Sequence, residues 1–290
     1  MTNIEDLIRT KIDVPISESL DLYKDAEQRK KYASMIVETV NENVPKLDLV
    51  CNQDVINSIN KTGYAVIENF LSDSEVDYIV NYISQFKGYH FHTPNRSFDQ
   101  NPKKYDSNLD WNVCSYKMNH LIQNPDILKL VTRPDIISVA QEYLGCLPTL
   151  SNVVMWWSKA NGESFHTQNI HRDYDDFKFL TLFIYMTDVT DENGPHVYFP
   201  GTHNGEESSE NKVVITGKKG TAIFGDTFAL HYGHPLIQGE RLLFWTKYSL
   251  HKSNNFYRDK NQEFEQEPSV FFDVLDDNPV NRHILHAYTK

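Results

Sequence analysis

His171 and Asp173 stand two positions apart in the stretch NIHRDYDD, residues 169–176, and His231 and Arg241 stand ten apart in FGDTFALHYGHPLIQGERLLFW further on. On an extended segment alternate side chains face the same way, so the His171 imidazole and the Asp173 carboxylate point together while Arg172 points opposite. A nitrogen and an oxygen placed in this way can take adjacent positions on one metal. Alone, H-x-D is a common pair at solvated strand ends. The second stretch changes its weight. His231 ends a β-rich run, a turn with Gly and Pro follows, and Arg241 opens the next run, which predicts neighbouring antiparallel strands facing one interior. Two His and one Asp make the facial triad of non-haem Fe(II) oxygenases, which leaves three coordination positions open. An arginine beside it suits a dicarboxylate cosubstrate, because a guanidinium pairs a carboxylate in bidentate fashion and stays charged. The four residues together describe Fe(II) and O2 chemistry with 2-oxoglutarate.

The elements that must position them are short strands. From Thr149 onward, LSNVVMWWS, FLTLFIYMT, NKVVIT, TAIFG, FALHY and RLLFWTKYSL are β-rich runs separated by Gly, Pro, Asn and Asp clusters, the pattern of an antiparallel sandwich or barrel. Under strand alternation only one of Trp156 and Trp157 can face the core. Upstream, Leu20, Tyr23, Ala26, Ala33, Ile36, Val37 and Val40 recur at helical intervals, predicting one or two amphipathic helices. A short strand at Tyr64–Ile67 then leads into a helix whose start, Ser72-Asp73-Ser74-Glu75, has the spacing of a capping box. A second helix is expected from Pro134 to Tyr143, ending at Gly145. Residues 88–118 are aromatic and polar without a period and are expected to form an ordered lid. From about Asn254 the regularity is lost, as in a wrapping tail.

Composition narrows the function classes. The chain has 290 residues, 40% of them hydrophobic and 23% charged, and it is long enough to bury a substantial core. Its formal charge is -12, with no Lys/Arg stripe to neutralise phosphates, which excludes nucleic acid as a partner. Cys51, Cys114 and Cys146 are widely spaced and odd in number, so they offer neither a disulfide framework nor a C-x-x-C metal site. MTNIEDLIRTKID lacks an apolar targeting core, and no run approaches the ~18 apolar residues of a membrane span. No membrane partner and a cytoplasmic location are expected. Nothing in the sequence specifies an oligomeric state.

The chain resembles the phytanoyl-CoA dioxygenase family of Fe(II)/2-oxoglutarate oxygenases. The resemblance is carried, in order over residues 60–250, by GYAVIENFLSDSEVDYI, Gln168-Asn-Ile-His171-Arg-Asp173, Asp191-Glu-Asn-Gly194-Pro195, the PGTH of 200–203, and Gly225-Asp226 ahead of His231 and Arg241. It implies a mainly β fold, a double-stranded β-helix or jelly-roll with flanking helices. Residues 1–59 would be a helical segment packed on the core, 60–253 the oxygenase domain with 88–118 as its lid, and 254–290 the tail. By the resemblance, iron would be held by His171, Asp173 and His231, and Arg241 would take the far carboxylate of 2-oxoglutarate. Gln168 would lie near the cosubstrate. The carboxylate at Asp173 argues for hydroxylation, since related halogenases carry a small residue there.

One position departs from the family pattern. Where the family often has Ser or Thr two residues after the distal histidine, this chain has Gly233, so a companion hydroxyl for Arg241 must come from elsewhere: Thr181, Tyr185 or Thr246. His234 competes with His231, but His231 leaves the ten-residue interval that the family shows, and His234 is expected in the loop. His196 and His203 complete no better triad. Asp175 and Asp176 are expected to be solvated, and Lys178 to be an outward strand lysine. The expected substrate is a polar small molecule, held by lid residues such as His90, His92, Asn95, Arg96, Tyr105, Asn112 and Lys117. Two other readings stand beside this one: a jelly-roll that binds a ligand without turnover, and a cupin-like hydrolase or isomerase with another divalent metal, for which Arg241 would have no task.

Overall fold

The computed structural model of the chain describes residues 24–92, 97–98, 103–106, 113–160, 166–205, 210–250 and 283–285. Among these residues six helices precede the main β region: α1 (Ala26–Asn43), α2 (Gln53–Thr62), α3 (Asp73–Ile83), α4 (Met118–Ile122), α5 (Pro125–Val131) and α6 (Pro134–Leu144). Their ends follow local chemistry. Ser72 and Glu75 form the expected capping box on α3. Pro134 opens α6, and Gly145 closes it in the left-handed region at φ 92°.

The strands interleaved with and following these helices are β1 (Tyr64–Ile67), β2 (Lys87–His92), β3 (Ser97–Phe98), β4 (Lys103–Lys104), β5 (Val113–Ser115), β6 (Thr149–Lys159), β7 (Phe179–Tyr185), β8 (His196–Tyr198), β9 (Val213–Ile215), β10 (Ala222–Gly225), β11 (His231–Gly233) and β12 (Glu240–Ser249). Among the described residues every pairing is antiparallel. A large sheet runs β1-β10-β7-β12-β6-β5-β2-β3, with β4 also on β2, and a small sheet runs β11-β8-β9. This is the jelly-roll with flanking helices that the sequence predicts.

Alternation along β12 separates two cores. Leu242, Phe244 and Tyr248 pack with the helices, including Ile36 and Val40 of α1. Leu243 and Trp245 pack with Phe183, Tyr198 and Ile215 between the two sheets. A strand covered on both faces reads as a continuous apolar run, which is why RLLFWTKYSL shows no period. Trp156 joins the inter-sheet core while Trp157 packs on the helix side.

Three expectations need correction here. β11 and β12 are not neighbouring strands: β11 pairs with β8 in the small sheet, whereas β12 pairs with β6 and β7 in the large one. The segment 88–118 is not wholly irregular, because β2 and β5 extend the large sheet beyond β6. The division at residue 59 falls inside α2, and Ile284 and Leu285 belong to the helix-side core. Residues 1–23 and most of the 254–290 tail lie outside the described residues, as do Asn95, Arg96 and Asn112 of the lid. Among the described residues no helix is long and apolar enough to cross a membrane.

Candidate metal centre

The two sheets meet the site from opposite sides. On the small-sheet side, His171 and His231 are a directly opposed cross-strand pair. Each backbone N–H donates to the other's carbonyl, at 3.0 and 3.1 Å. Opposed residues of an antiparallel pair project to one face, and the two imidazole centroids lie 4.3 Å apart. Beyond His171 the pairing lapses into an irregular segment, but the Asp173 N–H still donates to the Thr227 carbonyl at 2.8 Å. Asp173 Oδ1 then lies 3.6 Å from His171 Nε2, and Oδ2 lies 3.9 Å from His231 Nε2. Among the described residues, these three are the one His/Cys/Asp/Glu group whose ligand atoms converge, all within 4.8 Å of one another.

Second contacts fix which nitrogen faces the centre. His171 Nδ1 is 2.8 Å from the Asn169 carbonyl and His231 Nδ1 is 2.9 Å from the Ala229 carbonyl. A carbonyl only accepts, so both Nδ1 atoms carry the proton and both Nε2 lone pairs point at the shared space. Burial pushes His231 down to about 4, against the opposing pull of Asp173, so it is a neutral donor at ordinary pH. Burial alone would raise the Asp173 carboxyl. Lys247, the two imidazoles and the Thr227 hydroxyl outweigh it and hold the group well below the usual carboxylate range.

The loops that carry the triad are pinned from outside. Arg172 points away from its neighbours, as alternation requires, and donates to the carbonyls of Thr202 and Phe228 at 2.7 and 2.6 Å. Arg29 of α1 donates to the Asp176 carbonyl at 3.0 Å and lies 3.6 Å over the Phe228 ring. Asp226 holds the turn before His231 by accepting from the Phe228 N–H at 3.0 Å and the Tyr143 hydroxyl at 2.6 Å.

On the large-sheet side, β12 contributes two buried cations to the same interior, Arg241 and Lys247. Arg241 Nη1 donates to the Gly194 carbonyl, while its Nε is buried without a partner. Burial draws the guanidinium below its ordinary value, with Tyr185 opposing. Lys247 is only 2% exposed, its Nζ 3.1 Å from Asp173 Oδ2 and in contact with Asp175 Oδ2. This lysine was not anticipated, although a charge in the middle of LLFWTKYSL is the signal that marks it. Asp175 and Asp176 are not solvated as expected. Asp175 faces Lys247, and the fully buried Asp176 accepts from the N–H groups of Phe177 and Leu250 at 2.6 and 2.9 Å. Lys178 is not an outward lysine either: it turns under α6 to the Tyr143 carbonyl.

The candidate hydroxyls are already engaged. Thr181 faces the interior but its hydroxyl is 3.0 Å from that of Thr227. The Tyr185 hydroxyl donates to the Ile215 carbonyl at 2.6 Å and accepts from the His196 N–H at 3.0 Å. Thr246 has the opposite parity on β12 and donates to the Asn152 carbonyl at 2.7 Å, outside the site. Gln168 sits on the 3-10 turn His166–Gln168, which packs against β11. His234 lies past β11 with its Nδ1 on the Pro235 carbonyl, and His203 meets the Asn60 carbonyl. Of the lid residues, Tyr105 stacks at 4.3 Å on Trp157, on the helix side.

The family model for phytanoyl-CoA dioxygenase matches residues 59–241. The chain belongs to this family. Among curated protein sequences none matches. Solved structures similar in fold include the non-heme alpha ketoglutarate dependent carbocyclase SnoK from nogalamycin biosynthesis, at TM-score 0.53 and 17% identity over 72% of this chain and 85% of that one. The epimerase SnoN of the same biosynthesis gives 0.51 and 17%, over 68% and 81%. EctD from S. alaskensis with bound Fe gives 0.51 and 17%, over 70% and 78%. At these identities the likeness is one of fold, and it places the family's jelly-roll in this chain.

Proposed function

We propose that the chain is an Fe(II)/2-oxoglutarate-dependent dioxygenase that hydroxylates a C–H bond of a polar small molecule. The observation that carries this reading is the convergence on one interior of two Nε2 atoms and one carboxylate, from β11 and the segment bridged to it, with a buried, half-partnered guanidinium from the large sheet. The donor set suits Fe(II): two imidazoles and one carboxylate on one side leave the other side open. It also matches the cofactors of the fold neighbours, which include structures with bound Fe and with Fe3+ and alpha ketoglutarate. Bound together, iron and 2-oxoglutarate supply O2 activation through oxidative decarboxylation to succinate and CO2.

Each residue then has a task. His171, Asp173 and His231 hold the metal, oriented by the carbonyls of Asn169 and Ala229 and by Lys247. Arg241 takes the distal carboxylate of the cosubstrate, its unpartnered Nε marking capacity that the protein itself leaves unused. Gln168 borders this space from the 3-10 turn, whereas Thr181 and Tyr185 contribute by positioning Thr227 and His196. The oxygenase unit takes in α2 as a whole and does not begin at residue 60, with α1 packed on the outer face of its large sheet and β5 and β2 extending that sheet beyond β6.

The test is anaerobic titration of the apoprotein with Fe(II) and 2-oxoglutarate, following the weak visible charge-transfer absorption of the iron-bound 2-oxo acid. The absorption is expected in the wild type and lost in His171→Ala. Folded wild-type protein without it would refute the assignment. Succinate release then screens sugars, amino-acid derivatives and biosynthetic intermediates as substrates. Turnover of a long acyl-CoA in their place would refute the substrate class.

A further inference from the structure

Resting on the 2-oxoglutarate reading, Arg241 needs a second donor beside it, and the hydroxyls of Thr181, Tyr185 and Thr246 are each spent or face away. Gly233 leaves room where one would fit: a Cβ there would lie 3.6 Å from Arg241 Nη2, in ordinary contact. Directly opposite Gly233 in the β11–β8 register stands His196. Opposed residues share a face, so His196 projects into the same interior. Its ring stacks 5.5 Å from that of His231 and lies tilted 4.7 Å from that of Phe183, and it is 6% exposed. Its Nε2 is buried and has no hydrogen-bond partner. A buried unpaired nitrogen is destabilising unless a ligand completes it, and it shares this state with Arg241 Nε in the same interior. The Tyr185 hydroxyl, bound to the His196 N–H, fixes the backbone from which the ring projects.

We propose that His196 donates a hydrogen bond from Nε2 to the distal carboxylate of 2-oxoglutarate beside Arg241, supplying across the β8–β11 pair the donor that is missing at Gly233. Ser158, opposed to Arg241 on β6, is the competing donor.

The test is calorimetric titration of Ni(II)-loaded protein with N-oxalylglycine, an inert analogue with the same distal carboxylate, and with 2-oxobutanoate, which lacks it. A hydrogen bond to a charged group corresponds to about 10- to 150-fold in affinity. His196→Leu is expected to lose that much for N-oxalylglycine and nothing for 2-oxobutanoate. Adding Gly233→Ser to His196→Leu is expected to restore most of the loss, and Ser158→Ala to leave binding unchanged. If His196→Leu does not fold, His196→Phe, which keeps the ring stack, takes its place. Equal loss for both ligands, no loss, or a loss that appears in Ser158→Ala instead would overturn the proposal. Absence of N-oxalylglycine binding by the Ni(II)-loaded wild type would overturn the cosubstrate reading itself.

Discussion

Replacing Lys247 with methionine keeps the stem and the packing volume but removes the one ammonium that faces both Asp173 and Asp175. At the 3.1 Å separation from Asp173 Oδ2, Coulomb's law with an effective dielectric of about 20 gives roughly 5 kcal/mol of attraction. Desolvation of the lysine offsets part of this, and the two carboxylates keep 24% and 21% of their side-chain surface. The expected loss therefore sits at the low end of the range for breaking a buried pair, about 3 kcal/mol. For a chain of this size that lowers Tm by about 6 °C. The assay is differential scanning fluorimetry of metal-free protein, repeated with saturating Co(II). In the wild type Lys247 already neutralises Asp173, whereas in Lys247→Met only the metal can, so Co(II) is expected to raise Tm more in the variant. Adding Asp175→Asn removes one of the stranded charges and is expected to recover about half of the loss. A metal-free variant within about 2 °C of wild type, or a smaller Co(II) shift than in wild type, would refute the account of Lys247 as counter-ion to the metal-binding carboxylate.

Other outcomes follow from the same geometry. Arg241→Ala is expected to weaken 2-oxoglutarate by about 30- to 4,000-fold while leaving Co(II) affinity within about threefold, because no triad residue lies on β12; both are read by titration calorimetry. Gly220→Ala places a Cβ 2.2 Å from the Leu71 carbonyl at φ +84° and is expected to lose about 2–3 kcal/mol in urea denaturation. Ser72→Ala removes the hydroxyl of the α3 capping box and is expected to lose about 1 kcal/mol in the same assay.

What was legible in the sequence was local. His171 and Asp173 could be paired from alternation, the α3 start from Ser72 and Glu75, and the α6 end from Gly145, because each depends on contacts a few residues apart. The placement of β11 beside β12 failed because the turn between them has hairpin chemistry, while the sheet that each strand joins is decided by partners far away, Tyr198 for His231 and Trp156 for Leu243. His196 reads in the sequence as completing no better triad, since its place opposite Gly233 is decided by a strand pair far apart in sequence. Asp175, Asp176 and Lys178 read as solvent-facing because charged residues in a loop usually are. Here α1, α6 and Lys247 cover them, and nothing in DYDDFK announces that cover.

β12 acts as a ruler. Arg241 and Lys247 are six residues apart on one strand, a span of about 20 Å at the usual rise, and throughout that interval β12 stays in unbroken register with Ser158 to Asn152 of β6. The register shift in that ladder falls just after the interval, between Lys247 and Tyr248. Slack is thus kept off the graduated part of the strand. Inserting or deleting a single residue between the two cations would turn one of them out of the pocket, since side chains alternate with a period of two. Length changes in this protein are therefore expected to be absent from 241–247.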